Sequence, residues 1–246
     1  MEKLNNFDFV ILIPVFNCQK TISELSIQIN KYLNNKSFFI CFVDDSTDER
    51  TSNEINKCFK DNFFILKRKK IENYSTRFSA SLDGFKWIND NIKTKYVVEI
   101  DSDLAHHPKD INKGIDLLRE GDCDLVIGSK YLSNSTVKDR PFERQIISRV
   151  LTIICKIIFT NHISDYTNTF RFYNIKLVKD FIYRRMIFKS PIGHLDNLLY
   201  IIKKKYKIKE ISTEYIEYND ESTIKVISML RYLIEFFKCV TLNKFF

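Results

Sequence analysis

The run Val97-Val98-Glu99-Ile100-Asp101-Ser102-Asp103-Leu104-Ala105-His106-His107-Pro108 closes an apolar, strand-like segment with two carboxylates spaced i, i+2. Two hard oxygen ligands at the carboxyl edge of a strand can hold one divalent cation, and such a cation calls for an anionic ligand in turn. The competing reading of Asp101 and Asp103 alone is a solvated turn, because Asp is common after strands and Pro108 can open a helix at its first position.

Two further apolar runs, Phe9 to Asn17 and Phe38 to Asp45, also end in polar residues. Together the three read as parallel strands whose carboxyl ends converge on one crevice. Between them, Thr21 to Leu33 carries Ile22, Leu25, Ile29 and Leu33 at helical spacing, and Asp48 to Phe59 and Thr76 to Asn91 are helical in the same way. Phe63 to Leu66 and Tyr96 to Ile100 read as strands, Pro108 to Arg119 as a helix and Asp124 to Ile127 as a strand. This alternation predicts an α/β fold, a doubly wound and mostly parallel sheet flanked by helices. No Gly/Ser/Pro-rich linker, repeat or low-complexity tract divides the 246 residues, so 1–246 is expected to be a single domain.

Five ordered blocks carry a resemblance. Pro14-Val15-Phe16-Asn17 resembles P-x-Y-N, and Val43-Asp44-Asp45-Ser46-Thr47 resembles V-D-D-G-S. Asp101 to Pro108 is similar to D-A-D-L-S-H-H-P, Gly128-Ser129-Lys130-Tyr131 to G-S-R-Y, and Asp165 to Tyr173 to D-x-T-S-G-F-R-x-Y. On these residues the chain resembles the inverting glycosyltransferases of family 2 with the GT-A fold. Within that family, the polyprenol-phosphate sugar transferases of the dolichol-phosphate mannose synthase type are most similar.

The resemblance implies a nucleotide-sugar-binding half over 1–130 and an acceptor and membrane-proximal half over 131–246, the latter ending in C-terminal amphipathic helices. It implies transfer of a hexose from a GDP- or UDP-sugar to polyprenyl phosphate, with Pro14, Phe16, Asp44, Asp45 and Asp101 at the nucleotide. Mg2+ or Mn2+ on Asp103, with Asp101 direct or through water, would neutralise the diphosphate leaving group. Lys130, where the family often has Arg, and Arg171 are the expected phosphate contacts, with Arg144 a further candidate. A lipid phosphate is already anionic and attacks without a general base, whereas a sugar hydroxyl needs one. Asp165 is accordingly expected to orient Arg171 or shape the acceptor pocket, and Asp196 to serve as base only for a hydroxyl acceptor. His106, His107 and His194 read as structural.

Several positions depart from the family pattern. Cys18 follows P-x-Y-N in place of Glu, Ser46 replaces Gly, Ala105 replaces a polar residue, and Tyr74 to Ala80 lacks the usual loop glycine. Tyr218 to Thr223 resembles R-x-G-x-S-K without its Arg, Gly and Lys, though Ser222 remains and Lys225 follows.

Six scattered Cys, with no C-x-x-C and no His at zinc spacing, point to reduced thiols rather than a disulfide framework or a zinc knuckle. Met1 to Asn6 shows no signal-peptide pattern, so a cytoplasmic location is expected. A net charge of +8 favours anionic partners. Nucleic acid is disfavoured because no RNP-like aromatic pattern, zinc finger or helix-turn-helix accompanies the charge. Arg140 to Phe159 and Ile224 to Phe246 mix basic and bulky apolar residues as interfacial helices do, without a spanning run of about 20 apolar residues. Peripheral docking on the cytoplasmic face of a membrane is expected, with a separate membrane anchor protein as a partner. Two other readings stay open: a family 2 enzyme adding sugar to a carbohydrate hydroxyl in surface polysaccharide assembly, and a non-catalytic relative.

Overall fold

The computed structural model describes residues 4–69, 76–160, 162–185, 187–188, 190–218 and 226–245. The elements follow in the order β1 (Leu4–Val15), α1 (Gln19–Leu33), β2 (Phe38–Asp44), α2 (Arg50–Cys58), β3 (Phe63–Lys67), α3 (Arg77–Asn91), β4 (Ile92–Glu99), α4 (Asp110–Arg119) and β5 (Leu125–Ser129). The chain continues through β6 (Thr136–Lys138), α5 (Phe142–Ile158), β7 (Arg171–Asn174), α6 (Ile175–Phe181), α7 (Ile192–Lys203), β8 (Ile208–Ser212), β9 (Glu214–Ile216) and α8 (Val226–Phe245).

Seven strands form one sheet in the order β3-β2-β1-β4-β7-β5-β8, and β6 pairs with β9 beside it. Successive side chains of β1 point to opposite faces, and both faces are covered, which is why its apolar run is unbroken. Val10 and Leu12 join Phe85 and Ile88 of α3 in one core, whereas Ile11 and Ile13 join Ile22, Leu25 and Ile29 of α1 in the other. The expected mostly parallel, doubly wound sheet is the one observed, and the strand and helix segments expected in the first half recur with shifted ends.

One strand reverses direction. β7 runs antiparallel between β4 and β5, setting Arg171 opposite Glu99 on one side and Ile127 on the other. The chain leaving β5 builds β6 and α5 without returning to the opposite end of the sheet, so it re-enters from the edge where the parallel strands stop. That reversal brings Asp165, Asn168 and Thr169 to the edge that already carries Asp101 and Asp103.

Two glycines let helices approach closely enough to frame this edge. A Cβ on Gly84 would collide with Leu12 and lie 2.8 Å from Val43, so glycine seats α3 on β1 and β2. A Cβ on Gly193 would enter the Phe78 ring and lie 2.6 Å from the Phe188 carbonyl oxygen, which fixes the start of α7 against the start of α3. Gly193→Ala is therefore expected to destabilise the fold by about 1–3 kcal/mol through overpacking. Urea denaturation, reading a lower midpoint at unchanged slope, checks this.

Candidate active site

Arg77 is the first residue of α3, after a capping box in which the Thr76 amide donates to Ser79 Oγ (2.9 Å) and the Ser79 amide to Thr76 Oγ1 (3.3 Å). A cation at a helix N-terminus opposes the helix dipole, so its place there needs compensation from elsewhere. The carboxylates ending β4 supply it. Arg77 Nε donates to Asp101, and Nη1 donates to Glu99 Oε1 (3.2 Å) and to His194 Nε2 (2.7 Å). A guanidinium only donates, so His194 accepts at Nε2 and carries its proton on Nδ1, in the neutral form that its surroundings favour. Burial, together with the charges of Arg77 and Arg171, lowers its pKa well below the usual histidine value.

Glu99 is buried and also receives Ser81 Oγ (2.5 Å) and the Tyr173 hydroxyl (3.0 Å). Asp101 is fully engaged, since Thr169 Oγ1 donates to its second oxygen at 3.1 Å. Burial would raise the Asp101 carboxyl, but the Arg77 charge and hydrogen bond outweigh it and hold it below the carboxylate range. Asp103 differs. One of its oxygens accepts the Ala105 amide (2.9 Å), and the other takes no hydrogen bond among the described residues. Burial, and then the Asp101 charge beside it, push its carboxyl up to about 6. Between Asp103 and Ala105 the chain turns through Leu104 at φ 64°. This left-handed conformation costs a side-chain-bearing residue about 1–2 kcal/mol, and strain of that kind concentrates at functional sites.

A second buried pair faces the same space. Lys130 Nζ lies 2.9 Å from Asp165 Oδ2, with both side chains nearly inaccessible. Asp165 Oδ1 accepts the Thr167 and Asn168 amides (3.0 and 3.1 Å) and Thr167 Oγ1 (2.9 Å). Burial opposes ionisation of Asp165, yet the Lys130 charge holds its carboxyl below the usual range. Burial lowers the Lys130 pKa despite Asp165. Asp165 thus anchors Lys130, not Arg171.

Arg171 is fully buried, and its Nε and Nη1 donate to the carbonyls of Asn168 and His194 at 2.9 Å each. It holds the Thr169 turn and α7 together from beneath and does not line the cavity described below. Asp196 is also withdrawn: it pairs with Arg184 and accepts Asn243 Nδ2 (2.8 Å), tying α7 to α8. His106 is stacked on Phe170 and edge-on to Tyr215, and burial, then the Lys130 charge, lower its pKa to about 3. His107 Nδ1 accepts the Lys109 amide (3.1 Å), a local turn contact.

The remaining expected residues lie at the ends of β1 and β2. Pro14 is buried within β1 opposite Val43, and Phe16 is half exposed just beyond the strand. Asp44 is buried and accepts the Ser46 amide (2.8 Å) and the Ser52 hydroxyl, so both oxygens organise the turn into α2. Asp45 pairs with Arg68 at 2.8 Å, while burial raises its carboxyl. Ser46 Oγ, standing where glycine was expected, accepts the Asn17 amide (2.9 Å), and Asn17 Oδ1 accepts the Thr47 amide (3.0 Å). These bonds latch the two strand-end loops together. Most of the Tyr218 to Thr223 motif, Lys225 and the Tyr74-Ser75 pair lie outside the described residues.

Asp101, Asp103, Arg77, Lys130 and His194 open onto a cavity of about 420 Å³. Its lining also includes Arg140 and Arg144, both against Glu217, and apolar side chains: Ile147 and Leu151 of α5, Ile192 and Leu195 of α7, and Leu233 and Phe236 of α8. Arg77 escaped the motif reading, although a cation beginning an amphipathic helix one strand before the paired carboxylates was its signal.

Residues 10–182 match the model of glycosyl transferase family 2. The chain belongs to that family. A dolichol-phosphate mannosyltransferase of Pyrococcus furiosus is 27% identical over 230 residues, covering 91% of this chain and 61% of the relative, so the chain spans about three fifths of that protein's length. An uncharacterized protein of Methanocaldococcus jannaschii is 26% identical over 250 residues, covering 92% of this chain and 98% of its own. The crystal structure of glucosyl-3-phosphoglycerate synthase from Mycobacterium tuberculosis, in complex with Mn2+, UDP and glucosyl-3-phosphoglycerate, shares the fold, with a TM-score of 0.71 at 14% identity over 95% of this chain and 80% of that one.

Removing one partner of a buried ion pair leaves the other charge uncompensated, so Asp165→Asn should lower stability by about 3–5 kcal/mol. Adding Lys130→Met should restore most of it, as read by urea denaturation of the double variant. Because the folded pKa of Asp165 lies below its unfolded value of about 3.9, its contribution is full above that pH and is lost as pH falls through the folded value. The acid side of the parent's stability profile should lose that component in Asp165→Asn.

Proposed function

We propose that this protein transfers a hexose, with inversion, from a GDP- or UDP-sugar to a polyprenyl phosphate, working peripherally at the cytoplasmic face of a membrane. The observation that carries this reading is the composition of the cavity lining, which combines Arg77, Lys130, Arg140 and Arg144 with apolar side chains from three helices. An amphiphile with an anionic head and a hydrocarbon chain matches both kinds of lining. The Pyrococcus furiosus relative, named for a dolichol-phosphate acceptor, supports the same class.

Among the described residues no cluster of three metal-ligating side chains occurs. Two carboxylates are nonetheless enough for Mg2+ or Mn2+, which complete their coordination with water and substrate phosphates. Asp103 fits best: among the described residues one of its oxygens takes no hydrogen bond and it forms no ion pair, and burial with the neighbouring Asp101 charge raises its carboxyl to about 6. When bound there, the ion supplies Lewis-acid neutralisation of the departing diphosphate.

The protein's own groups do the rest. Arg77 stays fixed by Glu99, Asp101 and His194 while its Nη2, buried without a partner, remains to donate to a phosphate oxygen. Lys130, held by Asp165, adds a second positive charge in the same space, and donors fixed in advance stabilise developing charge without reorganising. Arg140 and Arg144 in the cavity lining suit the acceptor phosphate, which is anionic near neutrality and needs no base. The withdrawal of Asp196 from the cavity favours this acceptor over a carbohydrate hydroxyl. The nucleotide is expected at the strand ends near Pro14, Phe16, Asp44 and Asp45.

Incubation with Mn2+, GDP- and UDP-hexoses, and either polyprenyl phosphate or oligosaccharide acceptors tests the reading directly. Product is expected on the lipid phosphate alone; transfer to a sugar hydroxyl alone would replace it with the polysaccharide reading, and none on either would favour a non-catalytic relative. Asp103→Asn should cut turnover about 10²–10³-fold. Leu151→Gln with Phe236→Gln should raise KM for the lipid while leaving nucleotide affinity unchanged in calorimetry.

A further inference from the structure

A second recess borders α5; it shares Lys130 with the first cavity but is not lined by the paired carboxylates. Its volume is about 540 Å³, and α5 faces it with Gln145, Arg149, Thr152 and Lys156. The spacing i, i+4, i+7, i+11 makes these one stripe of the helix. Ser164 and Tyr131 stand opposite. No acidic residue lines the recess among the described residues, and neither Arg149 nor Lys156 forms an ion pair among them. Arg149 instead lies over the Tyr131 ring, 5.5 Å from its centre. Thr152 is only 4% exposed, and its Oγ1 has no hydrogen-bond partner. A buried hydroxyl without a partner is costly in a native fold, so its presence in a basic recess points to an anion that accepts from it.

The neighbouring face of α5 tells what carries the anion. Phe142, Ile146, Val150, Ile153 and Ile157 form a second stripe along the whole helix, with exposures from 44% to 80%. An exposed apolar stripe beside a basic one is the arrangement of a helix lying in a lipid headgroup layer. Free phosphate would use the basic recess and leave the apolar stripe in water; a phospholipid uses both.

We infer that the recess lined by Gln145, Arg149, Thr152 and Lys156 binds the phosphate of an anionic phospholipid headgroup, with the apolar stripe of α5 set among the acyl chains. This deepens the membrane-surface setting of the proposed reaction, on which it rests, and assigns it to a recess that adjoins the reaction cavity across Lys130. α5 forms one wall of each, so the headgroup contact presents the reaction cavity to the layer in which a polyprenyl phosphate resides.

The test is co-sedimentation of the full chain with vesicles of phosphatidylcholine alone and of an equal mixture of phosphatidylcholine and phosphatidylglycerol, without donor or acceptor. Binding is expected to the mixture and not to phosphatidylcholine alone. Arg149→Gln with Lys156→Gln should weaken it about 30-fold, the effect of removing two basic residues from an anionic surface. Thr152→Val keeps the side-chain shape, folds as the parent, and should weaken it about 10-fold through the lost hydrogen bond to a charged group. Calorimetry with nucleotide diphosphate and Mn2+ should give the parent's affinity for all variants. Equal vesicle binding by the parent and both variants overturns the inference. Saturable binding of inorganic phosphate at Arg149, followed by NMR, with vesicle binding unaltered by the substitutions, overturns the headgroup in favour of a free anion. Failure of transfer to polyprenyl phosphate with vesicle binding intact removes the acceptor reading and leaves the headgroup site standing.

Discussion

The candidate site depends on one guanidinium. Burying two carboxylates costs several kcal/mol per ion unless a cation meets them with good geometry, and Glu99 and Asp101 sit at the end of a central strand with no other cation in hydrogen-bond contact among the described residues. Arg77 meets both and reaches His194 as well. In doing so it fixes three elements relative to one another: β4 through the carboxylates, α3 through its own backbone, and α7 through the imidazole. Gly84 and Gly193 serve the same end, since each removes the side chain that would hold a helix away. The paired carboxylates then divide their work, Asp101 spent on the framework and Asp103 left with an oxygen to offer.

Much of this was legible in the sequence, for identifiable reasons. A strand buried on both faces must be apolar throughout, so β1, β2 and β4 announced themselves, and the polar residues that stop each run mark the functional edge. What the sequence concealed was direction and depth. Phe170-Arg171-Phe172-Tyr173 gives no sign that its strand runs against its neighbours. Once it does, alternation sends Arg171 and Tyr173 to the same face of the strand, out of the cavity lining, and Arg171 spends Nε and Nη1 on carbonyls. Lys130 and Asp165 stand out in the sequence as candidates but not as partners of each other, because their contact spans 35 positions. Arg77 was hidden by its setting, a stretch notable chiefly for a missing glycine.

The departures from the family pattern now have partial physical accounts. Ser46 gives up the conformational freedom of glycine and gains a hydroxyl that accepts the Asn17 amide across two loops. The loop that lost its glycine ends in a capping box, which satisfies the first amides of α3 by side chains. Family membership rests on residues 10–182, whereas the apolar wall of the cavity draws on α7 and α8 beyond that span. Part of the apolar lining, from α7 and α8, thus lies outside the stretch the family pattern describes, while the part from α5 lies within it.

α5 meets three surroundings at once: the cavity of the paired carboxylates through Ile147 and Leu151, the basic recess through Arg149 and Lys156, and open surface through Val150 and Ile157. Each residue added to an α-helix turns it by about 100°. Inserting or deleting a single amino acid between Pro141 and the first turn would hand each environment the wrong set of side chains while leaving composition, length and helical propensity almost untouched. Register, more than residue choice at any one position, is what natural variation in this segment has least room to change.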